Sequence, residues 1–543
     1  MTTSMAMNPP VAVPAPRAVP NKWLVTLSVT FGTLMGAIDS SIVNVAMPQL
    51  RGAVGATVQE ITWTTTGFVI ATVMVMPLTG FLGRLFGQKR VYLGCLLLFV
   101  AGSFLCGLAW NLPSLVFFRF IQGLGAGALQ PTEQAILRQT FPPEEQGTAM
   151  ALFAMAVMVG PAIGPTLGGL IVDNLHWSWI FFINVPVGIL GFFMVARFVQ
   201  EDESLRSFAR AEAERQRKNM DWAGIILLCV GLASLQFLLE EGQSHDWFES
   251  PLIAACALVS ATCLAAFMIR EMTAEVPAVN LRLFKDPVFA SGTVFNALVF
   301  SILMASMFLL PLFMQELLGF TATQSGLALM PRTLVMMVMM PIVGRLYRKV
   351  PPRVLILVGV VITGLGAFQM SHFSLSTGTQ NVIGAIALQG IGFSLLFVPL
   401  STVALSRVPR ERMTDATGLN SLLRQVGGSI GLAIFATLLS RFTVHSTASV
   451  AAHLTPDRLE VATRMAAMQK ALGGTGMDAV SSQALALRMM SGTVARQAAV
   501  LAFDKLFVLA ALLFVVVLPL VFLLKAPKSG PASGETPHID VEI

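Results

Sequence analysis

Runs of about twenty apolar residues, broken by short polar stretches, follow one another from Trp23 almost to the end of the chain. A helix needs roughly 20 such residues to cross the hydrocarbon core of a bilayer. Inside lipid every backbone N–H and C=O must find a partner in the structure itself, which leaves helices and closed barrels. A barrel strand alternates polar and apolar at every second residue, and these runs do not. The pattern predicts an all-α membrane protein with fourteen spans, at about 23–47, 62–82, 90–109, 112–132, 147–171, 177–198, 222–240, 251–270, 288–314, 323–344, 353–371, 380–405, 414–440 and 503–525.

Charge then sets orientation. Lys and Arg gather in the loops after even-numbered spans: Arg84, Lys89 and Arg90; Arg138; Arg206, Arg210, Arg215, Arg217 and Lys218; Arg282 and Lys285; Arg345, Arg348, Lys349 and Arg353; Arg407, Arg410 and Arg412; Lys525 and Lys528. The short loops after odd spans are poor in basic residues, and the one from Glu240 to Glu249 is acidic. Basic loops stay in the cytoplasm, so this asymmetry puts both termini there.

Composition agrees. Hydrophobic residues make up 55% and charged ones 12%, with a mean hydropathy of +0.74. Soluble domains carry about 25% charged residues, and so much apolar surface cannot be hidden in a water-soluble fold of this size. The sequence pI of about 9.3 comes from loops between apolar segments, so membrane orientation accounts for it and no nucleic-acid partner is expected. The five cysteines lie in apolar stretches without metal-ligand or CxxC spacing. Residues 1–20 read as a disordered cytoplasmic tail without a signal-peptide pattern, and 526–543 as a second tail.

The charged segment 199–220 divides the chain into a six-helix half (21–198) and a second part. That part holds two additional spans (221–270) and another six-helix half (271–525). Gly80–Arg90 and Gly344–Arg353 repeat weakly between the halves, as in transporters built from two repeats around a midplane site. Residues 441–500 form a long periplasmic loop. A helix is expected from Thr455-Pro456-Asp457 to Gly473-Gly474, and another from Asp478 to about Ala499. Leu485, Leu487, Met490 and Val494 of the second either pack on the membrane surface or offer a docking face to a periplasmic partner.

A charge within a span costs about 3 kcal/mol or more and is a functional candidate by default. Asp39 falls about 24 Å along span one, in the outer half, and Arg119 about 10 Å below the outer end of span four. At that common depth a carboxylate either forms a static ion pair with the guanidinium or takes up and releases a proton. Glu133 lies about 21 Å further along span four, where it is either solvated or accepts a proton or cationic substrate from the inside. Arg424 is near mid-depth in span thirteen with no acid at its level. Helix carbonyls or Gln389 satisfy it, or an anionic or proton-linked step uses it. In span five Gly160, Pro161, Gly164, Pro165, Gly168 and Gly169 form a small-residue seam whose prolines bend the helix, and which serves as a hinge or seal. Met304, Met307, Met314, Met330, Met336, Met337, Met339 and Met340 crowd spans nine and ten, either as ordinary packing or as a flexible lining. Asn44, Gln122, Met304, Met307 and Gln389 are the candidate substrate-cavity residues. No GxxxxGK[ST], GxSxG or HExxH occurs, so neither ATP nor an enzymatic centre is expected.

These motifs resemble the major facilitator superfamily, in its fourteen-span drug:proton antiporter branch. Ile38 to Pro48 (IDSSIVNVAMP) resembles that branch's first-span signature, with Asp39 at the acidic position. Arg119-Phe120-Ile121-Gln122-Gly123 resembles the span-four motif whose arginine is implicated in proton coupling. Gly160–Gly169 resembles the span-five antiport motif, and His176–Pro186 (HWSWIFFINVP) is typical of the branch. The resemblance implies two six-helix halves with two extra helices between them. It also implies proton-driven efflux of lipophilic or cationic small molecules, with the proton gradient in place of any cofactor. One position departs: Gly80-Phe81-Leu82-Gly83-Arg84 has arginine where the superfamily usually has an acid, which puts an expected inter-span salt bridge in doubt. EmrB-like exporters share that departure and the ending Ala502-Phe503-Asp504-Lys505. They imply an inner-membrane protein with a periplasmic adaptor and an outer-membrane channel as partners. A proton-linked importer, and a sensor or scaffold acting through the outer loop, are the competing readings.

Overall fold

The computed structural model describes residues 21–201, 213, 214, 216, 220–274, 277–455, 458–473 and 478–523. All regular structure among them is helical. In chain order the long helices are α1 (Lys22–Val54), α2 (Val58–Phe86), α3 (Gln88–Gly107), α4 (Leu112–Thr140), α5 (Gln146–Asn174), α6 (Trp179–Phe198), α7 (Trp222–Glu241), α8 (Pro251–Thr273), α9 (Pro287–Glu316), α10 (Ala322–Leu346), α11 (Pro352–Met370), α12 (Thr379–Ala404), α13 (Met413–Ala452), α14 (Leu459–Gly473) and α15 (Ala479–Leu523). Fourteen candidate spans, all but α14, are long and apolar enough to cross a membrane. The expected tails and most of the charged connector lie outside the described residues.

Several expected boundaries move, among them the end of α1, at Val54 instead of about 47. α4 continues to Thr140 instead of stopping near 132, and α13 runs on to Ala452. The helix expected at 478–499 and the span expected at 503–525 are one helix, α15. No proline interrupts 432–452 or 479–502, and extending an existing helix is far easier than starting one. The outer segment is therefore mostly helix, with Leu487 exposed and Leu485, Met490 and Val494 half-buried.

The two halves repeat each other at the level of backbone contacts. Val159-Gly160-Pro161-Ala162-Ile163-Gly164 on α5 corresponds to Val426-Gly427-Gly428-Ser429-Ile430-Gly431 on α13. Gly160 and Gly164 press on Ala37 and Ser41 of α1; Gly427 and Gly431 press on Ala297 and Ser301 of α9. Gly123 of α4 meets the Phe68 carbonyl of α2, as Gly390 of α12 meets the Arg332 carbonyl of α10. At these points a Cβ would collide with backbone, or at Gly164 with the Ser41 side chain, so only glycine lets the helices approach this closely.

At the end bearing the basic loops the halves are locked together. Arg84 pairs with Asp415, and Gln88 Nε2 donates to Thr414 Oγ1 at 2.6 Å. Arg138 Nη2 donates to the Leu405 carbonyl at 2.7 Å. Gly147 of α5 and Gly344 of α10 meet so closely that a Cβ on Gly147 would lie 2.9 Å from the Gly344 oxygen. The salt bridge placed in doubt by Arg84 is thus present with reversed polarity, the acid coming from α13. In this state the basic end is closed.

Candidate functional site

α4 begins at a capping box, with Asn111 accepting from Ser114 and Pro113 in the first turn, which fixes where its polar face starts. Arg119 and Gln122 then fall on one side, three residues apart. Gly123, Gly125 and Gly127 let α2 and α3 close onto this helix, so both side chains are buried.

Asp39 and Arg119 have no exposed surface, and Arg119 Nη1 donates to Asp39 Oδ2 at 2.6 Å. The other carboxylate oxygen accepts from Gln122 Nε2 and from Asn184 Nδ2, each at 2.9 Å. Arg119 Nη1 also donates to Gln122 Oε1 at 2.8 Å, and Nε to the Thr64 carbonyl at 3.1 Å. The guanidinium carbon sits 4.3 Å from the centre of the Phe68 ring. Asn184 Nδ2 is held in turn by Ser103 Oγ at 3.0 Å. A buried ion pair is tolerable only when its remaining hydrogen-bonding capacity is met. Here three donors converge on the carboxylate, so its side of the pair is met, while Arg119 Nη2 is buried without a hydrogen-bond partner. An O–H on Asp39 would face donors in the present arrangement, so receiving it requires one of them to withdraw, or Gln122 or Asn184 to turn its amide oxygen toward it. The sequence places Asp39 and Arg119 at matching depth. It does not place Asn184 beside them, although Asn184 lies within the quoted His176–Pro186 motif.

Gln122, expected in a substrate cavity, is instead fully buried in this network. Asn44 is exposed on the α1 stripe that includes Ser40, opposite the Phe31–Met35 side that packs on Gly191 and Gly188 of α6. Glu133 is not solvated: it is fully buried, because α4 runs two turns beyond the expected end. Thr30 Oγ1 donates to Glu133 Oε1 at 3.3 Å, while Oε2 has no protein partner.

Arg424 does not meet Gln389. Its Nη2 donates to Gln130 Oε1 of the opposite half at 2.9 Å, and Phe153, Phe300 and Phe397 surround it at 5.5 to 5.8 Å. Gln389 Oε1 accepts from Arg332 Nη2 and from Ser306 Oγ, both at 3.0 Å. Arg332 is a second fully buried guanidinium inside a span, missed in the sequence although the charge-within-a-span criterion applies to it directly. Gln122-Gly123-Leu124-Gly125 and Gln389-Gly390-Ile391-Gly392 are repeat-related, so each half holds one glutamine against one guanidinium. In the first half an aspartate joins them; in the second, Ser306 does.

Met314, Met336 and Met340 are core residues, while Met304 and Met307 are half-buried, with Met304 against Gly428. On α5, Gly168 touches Ile42 and Gly169 faces open space; α5 continues as helix through Pro161 and Pro165. A cavity of about 550 Å³ opens between α2 and α4, lined by Trp63, Gly67, Ile70, Val116 and Phe120 with Glu60 at its edge. None of the expected cavity residues lines it.

Comparison with known proteins agrees with this architecture. The sequence profile described as Major Facilitator Superfamily matches residues 29–432. The multidrug export protein EmrB of Escherichia coli is 33% identical over 520 residues, covering 95% of this chain and 98% of that protein. The fatty acid resistance protein FarB of Neisseria gonorrhoeae is 33% identical over 510 residues, covering 94% and 97%. Among solved structures, the human organic anion transporter MFSD10 superposes with a TM-score of 0.57 at 13% identity, covering 91% of this chain and 100% of that one. The proton:xylose symporter XylE, bound to 6-bromo-6-deoxy-D-glucose, gives 0.57 at 13%, covering 90% and 94%. At that identity they share the fold alone. With two repeated six-helix halves and a profile match across most of its length, the chain belongs to the Major Facilitator Superfamily.

Proposed function

We propose that this protein is a proton-coupled exporter of lipophilic or cationic small molecules, working by alternating access across the bacterial inner membrane. The observation that carries the reading is the sealed Asp39–Arg119 pair, clamped by Gln122 and Asn184. The names of the relatives support export: a multidrug export protein and a fatty acid resistance protein at 33% identity, and a colistin resistance protein, EmrB of Acinetobacter baumannii, at 27%. The fold also serves a symporter, so the direction of transport rests on those relatives.

In this mechanism the basic end, with both termini, faces the cytoplasm. With that end closed, a proton from outside reaches Asp39. Neutralising the carboxylate removes its hold on Arg119, and a buried guanidinium without a counter-charge is costly. The guanidinium then favours another arrangement of α1 and α4, which biases the halves toward opening at the basic end. Return of the proton to the inside restores the pair. Glu133, buried on α4 between this pair and the basic end, accepts that proton. Arg424, bonded across the halves to Gln130, senses their separation, and the Gly160–Gly169 seam guides α5 against α1.

The outer helices support an adaptor partner and a tripartite pump. At 1.5 Å per residue α13 is about 60 Å long against a hydrocarbon core of about 30 Å, so it projects well beyond the bilayer. Leu459 and Val480, on α14 and α15, are 79% and 77% exposed, which gives an adaptor apolar surface to grip.

The test is efflux of a fluorescent dye from vesicles under an imposed proton gradient. Asp39→Asn is expected to abolish gradient-driven efflux while dye still binds. Wild-type coupled efflux by that variant would refute the assignment.

A further inference from the structure

The two halves meet along two seams that are built differently. On one, α5 and α10 touch backbone to backbone at Gly147 and Gly344. On the other, α2 and α13 touch directly only near the basic end, where Gly418 presses on the Met76 carbonyl. Farther out α7 lies between them, with Leu228 and Leu232 packed in one core with Val73 of α2 and Leu422 and Val426 of α13.

The polar contacts of α7 and its partner α8 divide by half. Toward the first half, Thr66 Oγ1 donates to Glu241 Oε1 at 3.1 Å and Trp63 stacks on Phe237 at 5.3 Å. At the basic end, Arg84 Nη2 donates to the carbonyl of Ala278, just after α8, at 3.3 Å. Toward the second half, Gln236 Nε2 donates to Ser429 Oγ at 2.7 Å, and Ser429 Oγ to Glu240 Oε1 at 3.3 Å. Trp247 Nε1, just beyond α7, donates to Thr437 Oγ1 at 3.0 Å. The adjacent carboxylates Glu240 and Glu241 therefore hold opposite halves. The repeat supplies an independent sign: Ser429 occupies the position of Ala162 on α5, so its hydroxyl is not needed for the close packing that both helices share, and it is spent on α7.

Rigid halves that rock cannot both keep their bonds to one helix. The first half grips the hairpin at the outer end, with an aromatic stack beside the Thr66–Glu241 bond, and at the basic end it bonds the segment that follows α8. The polar contacts of the second half to it lie at the outer end, through hydroxyl, amide and indole N–H groups, while nearer the basic end the two share an apolar core. We propose that the α7–α8 hairpin is a strap that rides with the first half, seals the α2–α13 seam, and makes and breaks its Ser429 and Thr437 contacts once per transport cycle. This rests on the alternating-access reading above and gives the two additional helices a mechanical role.

The test uses full-length protein with Cys95, Cys106, Cys229, Cys256 and Cys263 replaced by alanine. Two cysteine pairs are added separately, Gln236→Cys with Ser429→Cys and Thr66→Cys with Glu241→Cys, and each is closed with a short thiol-specific bifunctional reagent. Linking α7 to α13 is expected to lower dye efflux at least tenfold, restored by reducing a cleavable linker. Linking α7 to α2 leaves efflux within twofold. Equal effects from both links, or free transport with α7 tied to α13, overturn the strap. A second readout needs no transport: adding Asp415→Ala to unlock the basic end should slow cross-linking of the Gln236/Ser429 pair at least fivefold and leave the Thr66/Glu241 pair unchanged. Equal rates overturn the proposal. Absence of gradient-driven efflux in the cysteine-free parent would count against the exporter reading, with the cross-linking rates still deciding the strap.

Discussion

The side-chain amide of Asn184, on α6, donates to Asp39 Oδ1 on α1 across 2.9 Å. α6 packs at the flank of its half, yet this contact ties it to the group proposed to carry the proton. A hydrogen bond to a charged group contributes roughly 1.5–3 kcal/mol, about one to two orders of magnitude in an equilibrium. Asn184→Leu is expected to lower gradient-driven efflux at least tenfold while dye binding in detergent stays within threefold. Unchanged efflux would show that the carboxylate is held adequately without this amide.

The ion pair itself predicts a non-additive double mutant. Removing one partner of a buried pair costs about 3–5 kcal/mol, because the other charge is left uncompensated. Asp39→Asn and Arg119→Gln should each lower the unfolding temperature in detergent, and the double variant should recover part of that loss without recovering transport. Arg119→Lys should not rescue transport, since one ammonium cannot reproduce the contacts to Asp39, Gln122 and the Thr64 carbonyl.

Arg84 and Asp415 join the halves at the basic end. Arg84→Asp alone sets two carboxylates against each other and should open that end. A thiol reagent applied from the basic side should then label a cysteine placed at Gln130 several times faster than in the parent. Reversing both charges, Arg84→Asp with Asp415→Arg, should return labelling to the parent rate. Failure of the reversal would show that the surrounding contacts, including Arg84 to Ala278, decide the geometry.

The repeat makes a paired prediction. Gly160→Val and Gly427→Val each force a side chain into the backbone of the helix opposite, Ala37 in one half and Ala297 in the other. Overpacking of this kind costs typically 1–3 kcal/mol. Both variants should lose thermal stability by similar amounts, and Gly169→Val, which meets open space, should lose little.

Much of this was legible in the residues. Fourteen apolar runs and alternating basic loops were enough for the helix count, because lipid leaves the backbone so few options. Asp39 and Arg119 could be matched by depth, since a helix converts residue number into distance. Their partners could not, because which face of α6 turns inward depends on packing between helices. The same limit puts Gln122 in a cavity and leaves helix carbonyls, Gln389 or a functional step as open alternatives for Arg424. For Glu133 the sequence leaves solvation and proton or cation binding both open, because the apolar run ends near 132; the helix continues to Thr140, with Glu133 against Thr30 of its own half and Arg138 and Gln139 against the opposite half. Arg84 looked like a lost salt bridge because its acid, Asp415, lies in the other half, and sequence spacing carries no sign of that distant contact.

α13 runs without interruption from Asp415 at the lock, past Arg424 and the Gly427–Gly431 seam, to Ala452. A rod about 60 Å long swings its far tip by about 1 Å for each degree of tilt. Whatever grips the outer tip is therefore geared to the inner lock, and stiffness alone is enough to report at one face of the membrane what has happened at the other.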